Sequence, residues 1–201
     1  MLKLAFVVHR YGPDIIGGSE KLCRSLAQRL SKYFEITVLT TCAEDYVTWE
    51  NSYDPGESED GPVIVRRFRT DHPRILADFN RLNEAVLSSA HQLSLEEKWM
   101  KSQGPYSSDF IDYISRKKSD YDLFVFFTYL YATTYYGIQK VSNRSVLVPT
   151  AHDEPPIYLG IFRRVFEKAR GIVYQSPEER TFVESRFDVT GIPSAVLVSC
   201  N

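Results

Sequence analysis

The chain opens on a nearly continuous apolar run, Leu2 to Val8 (LKLAFVV), with β-branched residues and without the polar alternation of a half-solvated strand. Such a run predicts a strand covered on both faces. After the loop RYGPDIIGG the period changes. Leu22, Leu26 and Leu30 recur at every fourth position with Cys23 and Ala27 beside them, which predicts an amphipathic helix from Ser19 to Leu30. Phe34 to Thr41 (FEITVLTT) returns to strand chemistry. Strand, helix and strand in succession form a βαβ unit, whose crossover is right-handed.

The alternation resumes downstream. Strands are predicted at Val63 to Phe68, Leu123 to Phe127, Val146 to Pro149, Gly171 to Tyr174 and Ala195 to Val198, and helices at Ile157 to Ala169 and Ser176 to Phe187. The pattern implies an α/β fold: a Rossmann-like, mainly parallel sheet of about seven strands with helices on both faces. Two segments depart from the alternation. Ala43 to Gly61 is acidic and turn-rich and reads as a long surface loop, while Arg74 to Lys118 reads as a helical insertion broken at Gly104-Pro105. The whole chain, 1–201, reads as one domain. Its last predicted strand runs into Ser199-Cys200-Asn201, and the expectation is half of a larger assembly.

Charge and composition narrow the partners. A net charge of −2, with no basic stripe, argues against nucleic acid. The densest apolar run, Leu123 to Phe127, is far too short to cross a bilayer, and Leu4 to Val8 is too short for an export signal. Cys23, Cys42 and Cys200 therefore read as free thiols in a reducing, cytoplasmic setting, and their wide spacing speaks against zinc.

Ligands of open parallel sheets bind beyond the carboxyl ends of the strands. After the first strand come His9, Arg10 and then Gly17-Gly18-Ser19-Glu20 at a helix start. Glycines there let backbone N–H groups approach an anion, and the helix end favours it; a plain turn with Ser19 as N-cap fits the same residues. The glycine spacing matches neither GxGxxG nor a GK[ST] phosphate loop. After the strand at Val146 comes His152-Asp153-Glu154-Pro155-Pro156, titratable groups at the ligand edge, or else a solvated loop with a helix cap. Adjacent residues cannot readily chelate one metal, so no metal is read here. Tyr129 and Tyr131 follow the Leu123 strand as candidate sugar-stacking faces or as part-buried aromatics. Asp120-Tyr121-Asp122 has the D-x-D spacing of some metal sites but precedes a strand, at the wrong edge. Ser176-Pro177-Glu178-Glu179 is a capping box.

The opening strand, the loop ending Gly17-Gly18-Ser19-Glu20, the helix LCRSLAQRL, the strand EITVLTT, the pair His152-Asp153 and the segment GIVYQSPEER together resemble the N-terminal domain of a family 4 glycosyltransferase of GT-B fold. The resemblance implies a retaining transferase that moves a sugar from a nucleotide-diphosphate donor to a glycan or lipid-linked acceptor. It implies no cofactor beyond the donor substrate and no metal. It places His152 beside the transferred sugar, Asp153 as its orienting group, and Gly17 and Gly18 against the donor phosphates or the acceptor; by their places at the strand ends, Glu20, Tyr129 and Tyr131 are read as further substrate-binding candidates. Such enzymes carry an E-x7-E pair in a C-terminal donor domain; this sequence has no such pair, so that domain is expected to be missing. The resemblance also leaves room for peripheral membrane contact through the insertion. The rival expectation is a non-catalytic Rossmann-like domain that binds a carbohydrate or a partner.

Overall fold

A computed structural model describes residues 1–88 and 90–197. Eight strands form one sheet: β1 (Lys3–Val7), β2 (Glu35–Thr41), β3 (Gly56–Asp60), β4 (Val63–Phe68), β5 (Leu123–Phe127), β6 (Ser145–Val148), β7 (Gly171–Tyr174) and β8 (Ser194–Val196). Their order is β3-β4-β2-β1-β5-β6-β7-β8, and every neighbouring pair is parallel except β3 with β4. The helices are α1 (Gly18–Leu30), α2 (Leu76–Ser88), α3 (Leu93–Gln103), α4 (Ser108–Lys117), α5 (Ala132–Ile138), α6 (Arg163–Phe166) and α7 (Pro177–Arg186).

The unbroken apolar run of β1 has a direct structural cause. Leu4, Phe6 and Val8 point to one face, into a core with Cys23 and Ala27 of α1. Ala5 and Val7 point to the other, into a larger core with Trp99 and Met100 of α3, Phe110 and Ile114 of α4, and Val165 and Phe166 of α6. A strand with no solvent face needs no polar alternation. Because β1 lies between β2 and β5, the chain winds one way to β2 and β4, then crosses to begin the other half at β5. The topological switch point therefore falls between the carboxyl ends of β1 and β5.

Two predicted elements differ. Residues 43–61 are not simply a surface loop: they contain β3, and they bury Trp49 at 1% exposure. The segment GESED has no apolar period because β3 is a solvated edge strand, held by backbone pairing to β4 and by the Arg66–Glu57 ion pair. Among the described residues the sheet therefore counts eight strands, within the mainly parallel α/β fold that the pattern implied. The predicted helix Ile157 to Ala169 is instead two 3-10 turns, Pro155–Tyr158 and Gly160–Phe162, followed by the single turn of α6. Pro155 and Pro156 withhold two backbone donors, and the Ile161 N–H is taken by the Glu96 carboxylate at 2.8 Å. The insertion is helical as expected, in α2, α3 and α4. Val198 of the last predicted strand, and Cys200, lie outside the described residues. Among the described residues no helix is long and apolar enough to cross a membrane.

Candidate active site at the switch point

His9 leaves β1 at the switch point and is 1% exposed. Its ring stacks on Tyr131, which follows β5, with centroids 3.8 Å apart and planes 28° apart. Trp49 packs edge-on against both rings, 5.8 Å from His9 and 5.4 Å from Tyr131. Three segments far apart in sequence thus meet over the end of the sheet. The His9 carbonyl accepts the Thr41 hydroxyl at 2.7 Å, which fixes the backbone at the same point from β2.

Glu20, in the first turn of α1, is the electrostatic centre of this cluster. Its Oε1 accepts from His9 Nε2 at 3.0 Å and from Arg10 Nε at 3.0 Å, and its Oε2 accepts from the Ser19 hydroxyl at 2.7 Å. Burial by itself would raise the pKa of the acid; the hydrogen bonds from His9 and Ser19 and the charge of Arg10 outweigh it and hold the carboxyl well below the usual range. Burial also keeps His9 on the neutral side of its ordinary value. A neutral imidazole that donates through Nε2 leaves Nδ1 as an unprotonated acceptor. That Nδ1 is buried and has no hydrogen-bond partner. Glu20 therefore sets the tautomer of the buried imidazole.

The two glycines of the loop have different roles. A Cβ on Gly17 would lie 2.3 Å from Glu20 Oε2, so Gly17 is the space into which the Glu20 carboxylate folds back. A Cβ on Gly18 would meet nothing within 4 Å. The helix tip expected to face an anion is thus answered at Gly17 by the chain's own carboxylate, and its open side is at Gly18. The N-cap is Gly17 rather than Ser19.

The other predicted residues separate into two places. Tyr129 is fully buried against Phe162 and Phe166, and its hydroxyl donates to Glu154 Oε1 at 2.7 Å. Its ring has no face open to a sugar, whereas Tyr131, two residues on, is part-buried and lies on His9. Burial, then the Glu154 charge, pushes the Tyr129 phenol well above its ordinary value, so it stays a donor. His152 and Asp153 are exposed and line a cleft of about 460 Å3 between the ends of β6 and β7, together with Gln175, Ser176, Glu178 and Glu179. Asp153 accepts from the Tyr158 hydroxyl at 2.7 Å rather than from His152. The floor of this cleft is Glu179, whose two oxygens accept from the Ala151 and Gln175 N–H groups, each at 2.6 Å. Half of the expected capping box is present: Ser176 Oγ accepts from Glu179 N–H at 3.1 Å, while the Glu179 carboxylate ties two strand ends together instead of closing the box.

Backbone strain marks the same edge. Thr128, after β5, and Thr150, after β6, have φ of 61° and 49°. A β-branched residue in the left-handed region costs about 1–3 kcal/mol and is held there only by its surroundings. At the opposite edge, Asp122 accepts the Lys3 N–H at 2.8 Å and Asp120 pairs with Lys117, so the D-x-D is a turn leading into β5. Among the described residues no group of three or more His, Cys, Asp or Glu is placed to hold a metal ion.

Two residues of the cluster carry no signal in the sequence patterns. Trp49 sits in an acidic, turn-rich stretch, one of three aromatics there with Tyr46 and Tyr53 and with no period to single it out. Arg74 precedes α2, and its guanidinium lies 4.9 Å from the Trp49 ring centroid.

No known protein family's model matches the chain, and no curated protein matches it. Solved structures do. A sucrose-phosphate synthase from Thermosynechococcus elongatus superposes with a TM-score of 0.56 at 13% identity, over 98% of this chain and 47% of that one. The E. coli trehalose-6-phosphate structure bound with UDP-2-fluoro glucose gives 0.51 at 15% identity, over 89% of this chain and 41% of that one. Both neighbours are GT-B glycosyltransferases, and the chain spans less than half the length of either. At these identities the likeness carries the fold alone: the chain has the mostly parallel α/β sheet architecture of those GT-B neighbours.

Proposed function

We propose that this chain is the N-terminal, acceptor-side lobe of a retaining glycosyltransferase of family 4 type, which moves a hexosyl group from a nucleotide-diphosphate sugar to a glycan or lipid-linked acceptor. One observation carries the reading: the His9–Glu20–Arg10 cluster, Tyr131 and Trp49 converge on the switch point, where open α/β sheets bind their ligands. The structural likeness supports the fold that this chemistry uses.

In this reading the lobe forms one wall of a cleft, and a second, donor-binding lobe forms the other. As the bond from sugar to diphosphate breaks, negative charge grows on the leaving phosphate and must be met by groups already in position. The open backbone at Gly18 is this wall's contribution. Neither a metal nor another cofactor is required of it. Tyr131, part-buried on His9, brings its ring edge to the ligand side, and His152 lines the cleft where the transferred sugar sits. Closure of the two lobes excludes water and so limits hydrolysis of the donor.

The 201-residue chain alone should turn over no nucleotide sugar, and His152→Ala in the complete enzyme should lower kcat with the fold intact, as judged by circular dichroism. Transfer by the chain alone would overturn the division of labour. An unchanged kcat would remove His152 from the site. Sugar binding without transfer by the complete protein would favour a carbohydrate-binding module.

A further inference from the structure

The two tyrosines that follow β5 supply no open ring: Tyr129 is in the core and Tyr131 lies on His9. An open ring stands at the same edge of the sheet on a different segment. Tyr46, in the loop that follows β2, is 60% exposed. The Arg10 guanidinium lies over its ring, 5.4 Å from the centroid, and so covers one face. Arg10 follows β1, which puts Tyr46 beside the switch point. Two other tyrosines are comparably exposed, but Tyr33 lies just before β2, at the amino edge, and Tyr158 lies beside the β6–β7 cleft with its hydroxyl bound to Asp153.

Both the support behind this ring and the loop that carries it are fixed. Arg10 Nε and Nη2 donate to Glu20 Oε1 at 3.0 and 2.5 Å, and Nη1 donates to the Glu44 carbonyl at 2.7 Å. Each guanidinium nitrogen is therefore engaged, and what Arg10 presents to Tyr46 is its flat face. On the other side of Tyr46, the Asp45 carboxylate accepts from Val47 N–H, Thr48 N–H and the Thr48 hydroxyl at 3.0, 2.6 and 2.8 Å. The Thr48 carbonyl accepts the Arg74 N–H at 2.5 Å. Residues 44–48 are thus held on both sides of an exposed aromatic, which reduces the conformational entropy lost when a ligand packs on it.

We propose that Tyr46 is the stacking platform for a gluco-configured pyranose ring of the acceptor, laid on the face opposite Arg10, and that it selects acceptors by that face. The proposal rests on the transferase reading above and deepens it. A pyranose with equatorial hydroxyls turns axial C–H groups toward its two faces, and such a flat apolar face suits a phenol ring, whereas an open-chain polyol has the same hydroxyls without the face. Glu44, two residues away, is exposed. Its carboxylate accepts sugar hydroxyls and repels phosphate, which favours a neutral sugar over a nucleotide on this ring. Single exposed aromatics are common and need no role by themselves. A Tyr46 that merely shields Arg10 accounts for one ring face; it leaves the other face in water, on a loop held in place around it.

Amide and tyrosine-ring shifts are followed as the chain is titrated with methyl β-D-glucopyranoside, with glucitol and with uridine 5′-diphosphate. Saturable shifts at the Tyr46 ring and at the amides of Asp45 and Val47 are expected with the glucoside and not with glucitol. Tyr46→Ala should weaken the glucoside about fivefold, the loss of one ring contact, while Tyr46→Phe, which keeps the ring, should bind within about twofold of the wild type; both should keep the melting midpoint. Equal affinity in Tyr46→Ala, or a loss in Tyr46→Phe as large as in Tyr46→Ala, overturns the stacking. Tyr46 shifts with the nucleotide and none with the glucoside overturn it as well. Glucoside shifts at Gly18 and Tyr131 that leave Tyr46 unmoved overturn the platform and leave the transferase reading standing. Tyr46 shifts with the glucoside in a complete protein that transfers no sugar uphold the platform and remove that reading.

Discussion

Replacing Glu20 by Gln probes the cluster at its most loaded atom. The carboxylate is 4% exposed and the Arg10 side chain 11% exposed. The substituted amide keeps the shape and one acceptor oxygen but removes the charge that compensates Arg10 and holds His9. Removing one member of a buried ion pair costs about 3–5 kcal/mol; with one hydrogen bond retained, about 3 kcal/mol is expected at pH 7. The pH dependence has a definite sign. The folded pKa of Glu20 lies below its ordinary 4.5, so its contribution is complete above the unfolded value and is lost as pH falls toward the folded one. Urea unfolding of both proteins should therefore show a gap that is largest at neutral pH and narrows below about pH 4.5 as the wild type loses its advantage. Adding Arg10→Met to Glu20→Gln should recover part of the loss, because the uncompensated cation then disappears. A neutral-pH gap below about 1 kcal/mol, or one that does not change on acidification, would refute the view of Glu20 as an ionised organising group.

Gly17→Ala should destabilise by about 1–3 kcal/mol, since its Cβ would drive the Glu20 carboxylate from its partners, whereas Gly18→Ala, into open space, should leave the thermal midpoint unchanged or slightly raised; equal midpoints for the two variants would contradict this. Thr150→Asn keeps a residue that tolerates the left-handed region, and in urea unfolding should stabilise by about 0.5–1 kcal/mol; a loss would mean that the Thr150 side chain contributes more than its backbone strain costs.

The sheet was readable because its central strands are buried on both faces, which writes long apolar runs into LKLAFVV and LFVFF. The edge strand β3 was not, because backbone pairing and ion pairs leave no hydrophobic period in GESED. The region 155–166 failed for a related reason: its apolar residues do follow a helical spacing, but two prolines and the Glu96 carboxylate draw the backbone into 3-10 turns. At the site, the position of each candidate after its strand was readable and its orientation was not. Tyr129 and Tyr131 look alike in sequence, yet one ring is in the core and the other lies on His9. The fold-back of Glu20 onto Gly17 could not be told from an open anion loop, since both use a glycine at the helix start. Trp49 and Arg74 reach the site across tertiary contacts from segments that carry no periodic signal.

The central claim is that ligands meet this chain at the carboxyl edge of the sheet, around the switch point. Amide-shift mapping during titration with a nucleotide-diphosphate sugar, and separately with a candidate acceptor glycan, tests it most directly. The account predicts shifts centred on His9, Gly18, Trp49, Tyr131 and His152. Shifts confined to the opposite edge, around Lys3, Ile64 and Asp120 where a separate concavity of about 450 Å3 opens, would contradict it.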